Sequence, residues 1–417
     1  LTNEILTSIL FQKAVLGLLQ LSYVNFRKDS YLLIEGKEES SRFYIIQSGR
    51  VRCFRANDPY NISAKVLGPG DFVGVIPCMA GRFQVESVIA VTDVKCISVK
   101  REQYPELIEK NIPVALKIIR TFANRMRTMN EQLTKLTLNN VSTDTPEHIC
   151  EVAAYYDNAG CSDIATYAYY RYLKECPKGR NIPFAQKRFV ALKPSSKAVY
   201  FEPTGDLARN YPKDCMIFSE SQSGSDMFII QDGQVAISKV VNGNEVMLAV
   251  LKKGDMFGEM ALLENKPRSA SAIAHEDCRL MVVNRQNFDQ MVGTQPQLVA
   301  RLTTTLSERM WSMYRQLDNA CLHDYQHKMV DMLALQMEKS RRYTGQIQTD
   351  FTLQDVANLC GIPAEKQSIA IVQLQSEKNI RISGGKIFIS DCQELLKLAA
   401  FYRKEERIKA KVKSQGI

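Results

Sequence analysis

The residues best suited to chemistry lie between Gly254 and Ala274, in the run Gly-Asp-Met-Phe-Gly-Glu-Met-Ala-Leu-Leu-Glu-Asn-Lys-Pro-Arg-Ser-Ala-Ser-Ala-Ile-Ala. Arg268 carries a planar guanidinium, which forks two donors onto the oxygens of one anion as a lysine ammonium does not. Glu259 offers a carboxylate acceptor and Ser269 a hydroxyl. Backbone N–H groups around Gly258, Glu259, Met260 and Ala261, where a short helix would begin, can face the same anion. The chemistry implied is recognition of a phosphate-like group. A plain surface ion pair between Arg268 and Glu259 would be worth only ~0–1 kcal/mol and would leave the surrounding glycines unexplained.

Other chemistries lack their residues. The four histidines are scattered, and no P-loop or catalytic triad appears, so no enzyme is expected. The eleven cysteines form no C-x-x-C pair and no cluster, so no metal site is expected. They read as reduced, small core residues of a cytoplasmic protein. No run of 18 uncharged apolar residues occurs, so no membrane span is expected. The opening, Leu1 to Leu21, reads as a helix rather than a signal peptide. An apolar fraction of 45% and a charged fraction of 24% suit an ordinary globular chain. The net charge is +9, and Lys339 to Ile417 holds 14 basic against 8 acidic residues, an excess of 6. A basic terminal module suits a polyanion such as DNA.

The elements that position the run occur twice. Residues 28 to 133 align with 212 to 317 at a constant offset of 184. Ile45-Ile46-Gln47-Ser48-Gly49-Arg50-Val51 falls on Ile229-Ile230-Gln231-Asp232-Gly233-Gln234-Val235, and Gly70-Asp71-Phe72-Val73-Gly74 on Gly254-Asp255-Met256-Phe257-Gly258. Within each copy, short β-branched runs punctuated by Gly, Asn and Asp predict strands. Each copy then changes to helical spacing, as in Leu298, Leu302, Leu306, Met310, Met313 and Leu317.

The Gly254–Ala274 run, with its F-G-E-x-A-L-L helix start and P-R-S-A end, resembles the phosphate-binding cassette of cyclic-nucleotide-binding domains. Such domains occur in bacterial Crp/FNR-type regulators and in cyclic-nucleotide-dependent kinases and channels. The resemblance implies that Arg268 holds the cyclic phosphate, that Glu259 accepts the ribose 2′-hydroxyl and that Ser269 adds a hydroxyl bond. The ligand implied is cAMP, with cGMP as the alternative. In bacterial members the long helix covers the base, with help from a partner copy. Trp311, Met313 and Tyr314 are the candidate lids here, and Tyr314, off the strict seam, is favoured for the purine. The stripe from Leu302 to Leu317 is expected to join two copies in a homodimer.

The first copy keeps Gly70 and Gly74 but has Val75 at the position of Glu259, Gln84 at that of Arg268 and Val85 at that of Ser269. Burying an anion without the arginine carries a large desolvation cost. The first copy is therefore expected to be a degenerate roll without nucleotide. Arg82, two residues early, projects differently.

Between the copies, 137–145 reads as a polar linker. Glu147 to Asp157 and Asp163 to Cys176 read as a helical hairpin, weakly similar to a tetratricopeptide unit and expected to serve as a spacer. After the second long helix come a helix over His323 to Lys339 and a helix-turn-helix pattern. In the latter, Thr352 is a cap, Gly361 lies at the turn and Pro363 at the next helix start. Ile380 to Ile389 then reads as a hairpin. The series resembles the winged helix of Crp/FNR regulators, with Ala364 and Ile369 where that family has arginines. Lys366, Gln367, Ser368, Arg381 and Lys386 are left as candidate DNA contacts, through phosphates more than bases.

The fold class expected is α+β, with two jelly-roll-like β-rolls each followed by a long helix, a helical hairpin between them and a C-terminal winged helix. The domains expected are 1–136, 137–199, 200–322 and 323–417. The function implied is cyclic-nucleotide-controlled DNA binding and transcription regulation. The alternative is a nucleotide sensor acting through protein partners.

Overall fold

The computed structural model describes residues 21–37, 41–56, 64–138, 145–200, 207–241, 243–264, 266–349 and 351–414. The helix expected over Leu1 to Leu21 and most of the linker expected over 137–145 lie outside the described residues.

The first repeat supplies β1 (Ser22–Phe26), β2 (Tyr31–Leu33), β3 (Arg42–Ser48), β4 (Val51–Phe54), β5 (Lys65–Leu67), β6 (Phe72–Val73), the short helix α1 (Val75–Ala80), β7 (Ser87–Ala90) and β8 (Val94–Lys100). Two antiparallel sheets form, ordered β1-β8-β3-β6 and β2-β7-β4-β5. Along β4 the burial alternates, as expected of strands with one wet face. α2 (Tyr104–Lys110) and the long α3 (Ile112–Leu138) follow.

Three helices come next: α4 (His148–Asn158), α5 (Ser162–Glu175) and α6 (Ile182–Leu192). The expected hairpin is α4 and α5, while α6 was not foreseen. The unit packs on the second repeat, as a lone hairpin must to bury its faces. Its core includes Met216, Val240 and Ile273 of the second repeat, and the Tyr167 hydroxyl donates to the Ile217 carbonyl at 3.1 Å.

The second repeat reproduces the first. It contains β9 (Ala208–Tyr211), β10 (Met216–Phe218), β11 (Met227–Asp232), β12 (Val235–Val241), β13 (Asn244–Leu251), β14 (Met256–Phe257), α7 (Glu259–Glu264), β15 (Ser271–Ala274) and β16 (Cys278–Val283). The sheets run β14-β11-β16-β9 and β10-β15-β12-β13, the order of the first roll with every number raised by eight. α8 (Arg285–Thr294) and the long α9 (Pro296–Ala320) close the repeat.

The apolar seam of α9 corrects an expectation. Leu302, Leu306, Met310, Met313 and Leu317 are buried within a single chain. They share one core with Ile118, Ile119, Phe122 and Met126 of α3. The seam expected to join two copies is therefore filled by the chain's own first repeat. Full burial of each such side chain stabilises by about 1.5–3 kcal/mol, which leaves little apolar surface on that face for a second copy.

The last module comprises α10 (Tyr325–Lys339), β17 (Ile347–Gln348), α11 (Leu353–Leu359), α12 (Ala364–Gln375), β18 (Ile380–Ser383), β19 (Lys386–Ile389) and α13 (Cys392–Ser414). Thr352 caps α11 through a reciprocal box with Asp355. Gly361, at φ +64, makes the turn into α12. The hairpin β18–β19 adds β17 at its edge, giving the layout of a winged helix. A buried ion cluster fastens the module to α9: Arg315 meets Glu338 at 2.9 Å and Asp331 at 3.1 Å. From α13, Arg407 reaches Glu35 of the first roll at 3.1 Å. No helix among the described residues is long and apolar enough to cross a membrane.

Candidate functional site

β14 leads into Gly258, whose φ of +78 turns the chain sharply into α7. A Cβ at Gly258 would lie 2.7 Å from a guanidinium nitrogen of Arg268 and 3.1 Å from the Asp226 carbonyl. Gly224 is equally close-packed, since a Cβ there would lie 2.7 Å from the same guanidinium. The two glycines thus make room for one arginine.

Arg268 is 5% exposed. Its Nη1 donates to the Gly258 carbonyl at 2.7 Å, and its guanidinium lies 4.2 Å from the centre of the Phe218 ring. Its Nε is buried without a hydrogen-bond partner. No carboxylate lies within ion-pair distance of it among the described residues. Burial pushes its pKa down to about 10, with Asp226 opposing only in part. A nearby anion would offset that cost.

Glu259 is 2% exposed and opens α7. Its carboxylate meets Arg309 of α9 at 3.2 Å, and Arg309 also donates to the Met256 carbonyl. The Ser269 hydroxyl donates to the Met260 sulfur at 3.6 Å. A cavity of about 400 Å³ is bordered by Gly258, Glu259, Met260, Ala261, Arg268 and Ser269. The structure thus brings together all the cassette residues read from the sequence. Pockets of this size accept small organic ligands.

Two lids are on the cavity and one is not. Trp311 and Met313 border it. Tyr314 points the other way, fully buried against the first roll, with its ring centre 4.6 Å from the Arg55 guanidinium and 5.3 Å from that of Arg125. The assignment of Tyr314 to the purine is therefore corrected. One helix is shared by two rolls, and about 100° per residue separates the faces it gives to each. Sequence reasoning also missed Arg309, although its counterpart Arg125 was visible in the repeat.

The first roll has the same cavity in the same place, bordered among others by Gly74, Val75, Gln84, Glu86 and Arg125. Each stands 184 positions before a residue of the second cavity. Its volume is only about 40 Å³, enough for a water molecule or so and too small for a nucleotide. Glu86, at the position of Ala270, pairs with Arg125 inside it. Burial alone would raise the Glu86 carboxyl, but Arg125 and Lys65 hold it below the usual carboxylate range. Asp318 of α9 adds a 2.8 Å pair to Arg55.

In the winged module, Lys366 and Ser368 are exposed on α12, and Arg381 and Lys386 are exposed on the wing. Gln367 is half-buried. It donates to the Asn358 side chain at 3.0 Å and the Ile362 carbonyl at 2.8 Å, and accepts from Gln354, which ties α12 to α11. Those bonds compete with any contact Gln367 makes to DNA. The outer face of α12 instead exposes Ile369 (52%) and Val372 (66%).

The cyclic nucleotide-binding domain family model matches residues 23–111 and again residues 208–295. Both rolls are cyclic-nucleotide-binding domains. The tandem chain is 24% identical over 194 residues to a CRP-like cAMP-activated global transcriptional regulator of Mycobacterium tuberculosis, covering 46% of this chain and 87% of that protein. It is 26% identical over 192 residues to the cyclic AMP receptor protein of Thermus thermophilus, covering 46% of this chain and 87% of the relative. The cAMP-dependent protein kinase regulatory subunit of Mycosarcoma maydis is 38% identical over 90 residues, covering 20% of this chain and 17% of that protein. Among solved structures, a CRP/FNR-family transcriptional regulator of Thermus thermophilus aligns at 23% identity with a TM-score of 0.36, covering 46% of this chain and 98% of that one. The family model thus covers both rolls, and the first has Val75, Gln84 and Val85 at the positions of Glu259, Arg268 and Ser269.

Proposed function

We propose that the second roll binds a cyclic purine nucleotide, cAMP in the first instance and cGMP as the alternative, and that occupancy controls DNA binding by the winged helix. One observation carries this reading: Arg268, buried without a counter-carboxylate, on the wall of a 400 Å³ cavity. The ligand's phosphate meets Arg268 and the start of α7. Its ribose faces Glu259, which Arg309 aims from 3.2 Å. Its base lies under Trp311 and Met313. No step of this is covalent, so the chain acts as a sensor. Lys366, Ser368, Arg381 and Lys386 meet phosphates of DNA, giving binding that weakens as salt rises. The absence of disulfides among the described residues suits a reducing compartment such as the cytoplasm.

The test is calorimetric titration of cAMP, cGMP and a cyclic dinucleotide into the intact chain and into Arg268→Ala, followed by DNA binding at two salt concentrations with and without the nucleotide. The reading expects one nucleotide per chain, no binding to Arg268→Ala and ligand-dependent DNA binding. An intact chain that takes up no nucleotide rejects it.

A second reading has an observation of its own. Ile369 and Val372 stand exposed on the face of α12 that would enter a groove of DNA, while Gln367 is spent internally. These favour a nucleotide sensor whose winged helix meets a protein. Nucleotide binding without any ligand-dependent DNA binding selects it.

A further inference from the structure

Beside Glu308 and Trp311 of α9, part of the second roll's cavity wall comes from elsewhere in the chain: Arg82 of the first roll, and Lys339 and Arg341 at the end of α10. There the C-terminal ends of two helices meet, α1 at Ala80 and α10 at Lys339. Arg82, just beyond α1, donates to the Glu338 carbonyl, to the Lys339 carbonyl at 3.1 Å and to the Tyr343 hydroxyl at 3.0 Å. Its guanidinium lies 4.9 Å from the centre of the Trp311 ring. Arg341, just beyond α10, donates to the Ala80 carbonyl at 3.0 Å and lies 3.8 Å from Glu308. Each helix end, with its unpaired carbonyls and negative dipole pole, is capped by an arginine lent by the other.

Two features set this clasp apart from ordinary capping. Arg341 adopts φ +54, the left-handed conformation that glycine usually supplies at a helix end. An arginine holds that position with its side chain committed to Ala80 and Glu308. Arg82 is 7% exposed, and its Nε is buried without an acceptor among the described residues, so its donors are not saturated.

We propose that Arg82 and Arg341 are positioning residues of the ligand site: their clasp fixes the wall that α10 lends to the cavity and passes its occupancy to the winged helix. The inference rests on the reading that the second roll binds a cyclic nucleotide. An anion in the cavity attracts the clasp cations, Arg82 from a buried position and Arg341 from an exposed one, and so favours the arrangement that keeps them on the wall. By reciprocity, the clasp strengthens the hold on the ligand by the same factor. The first roll, empty of nucleotide, thereby becomes the seat against which the winged helix is read.

The experiment uses the intact chain, Arg82→Ala, Arg341→Gly and the control Arg268→Ala. It reads cAMP affinity by calorimetry and backbone hydrogen exchange over residues 337–345. Glycine fits φ +54 without strain, so Arg341→Gly folds even if Arg82→Ala does not. The expected result is slower exchange over 337–345 when cAMP binds the intact chain. In Arg341→Gly that protection is lost and affinity falls about five-fold or more. A merely structural cap predicts unchanged affinity in Arg341→Gly. If the intact chain binds, Arg268→Ala does not, and either exchange ignores the nucleotide or Arg341→Gly binds as well as the intact chain, the clasp is refuted with the site intact. If the intact chain binds neither cAMP nor cGMP, the site reading fails and takes the clasp with it.

Discussion

The two rolls share one scaffold and differ in where the counter-charge to a buried arginine comes from. In the first, Arg125 of the long helix is matched from within by Glu86. In the second, Ala270 stands at the position of Glu86 and Arg268 at that of Gln84, so a guanidinium faces a cavity ten times larger with no carboxylate within ion-pair distance among the described residues. Glycines at 74 and 258 keep the same φ of +78 in both. A roll is thus closed or opened to ligand by a handful of side chains around a conserved turn, with no change of backbone plan. The lost arginine is only half of the change. The other half is an internal carboxylate that makes the empty site comfortable without a ligand.

The strongest way to break the comparison is to turn the second roll into the first. Arg268→Gln is expected to weaken cyclic-nucleotide binding about 1,000-fold, equivalent to about 4 kcal/mol, by calorimetry. The converse change, Gln84→Arg, is expected to leave the stoichiometry at one per chain, because Glu86 and Arg125 still fill the first cavity. Next in size is Glu86→Gln. It leaves Arg125 buried without its counter-charge, and a loss of about 3 kcal/mol in urea unfolding is expected, with nucleotide affinity retained. Ala270 offers no equivalent lever in the second roll. A third comparison separates the two faces of α9. Tyr314→Leu removes the ring between Arg55 and Arg125 and is expected to cost about 1–2 kcal/mol of stability, changing affinity less than two-fold. Trp311→Leu is expected to do the reverse.

The smallest effect sharpens the comparison by pH. Only the second roll carries the α4–α6 unit, and His148 joins them, 2.8 Å from Glu151 and 3.4 Å from Glu220. Burial works against the charged imidazole, but the two carboxylates outweigh it and raise its pKa above 6.5. A raised folded-state value means stability fully present below about pH 6.5 and lost as pH climbs through the folded value. Urea unfolding of the intact chain at pH 6 and pH 8 should show this slope, and His148→Gln should flatten it.

The sequence was most legible where local pattern and repetition agree. The offset of 184 carries α1 onto α7 residue for residue, and turn glycines cannot be replaced without strain. The cassette was legible because its residues lie within one short run. What stayed hidden depends on packing between distant elements. The seam from Leu302 to Leu317 reads equally well as a dimer stripe or an internal one, since periodicity tells that a face is covered and not by what. Tyr314 was misassigned for the same reason. Arg82 could be seen as displaced from the arginine position, but its reach to α10 spans more than 250 residues of chain. α6 did carry a local signal, Pro183 in its first turn, that was passed over.

The pairing of α3 with α9 inside one polypeptide bears on how the proposed sensor would answer dose. Two unequal halves tethered together meet at a fixed effective concentration, so dilution does not part them. On the proposed reading of one competent cavity per chain, saturation should follow a simple hyperbola with a Hill coefficient near one, whatever the protein concentration. Such a device reports nucleotide level in proportion rather than by a sharp threshold.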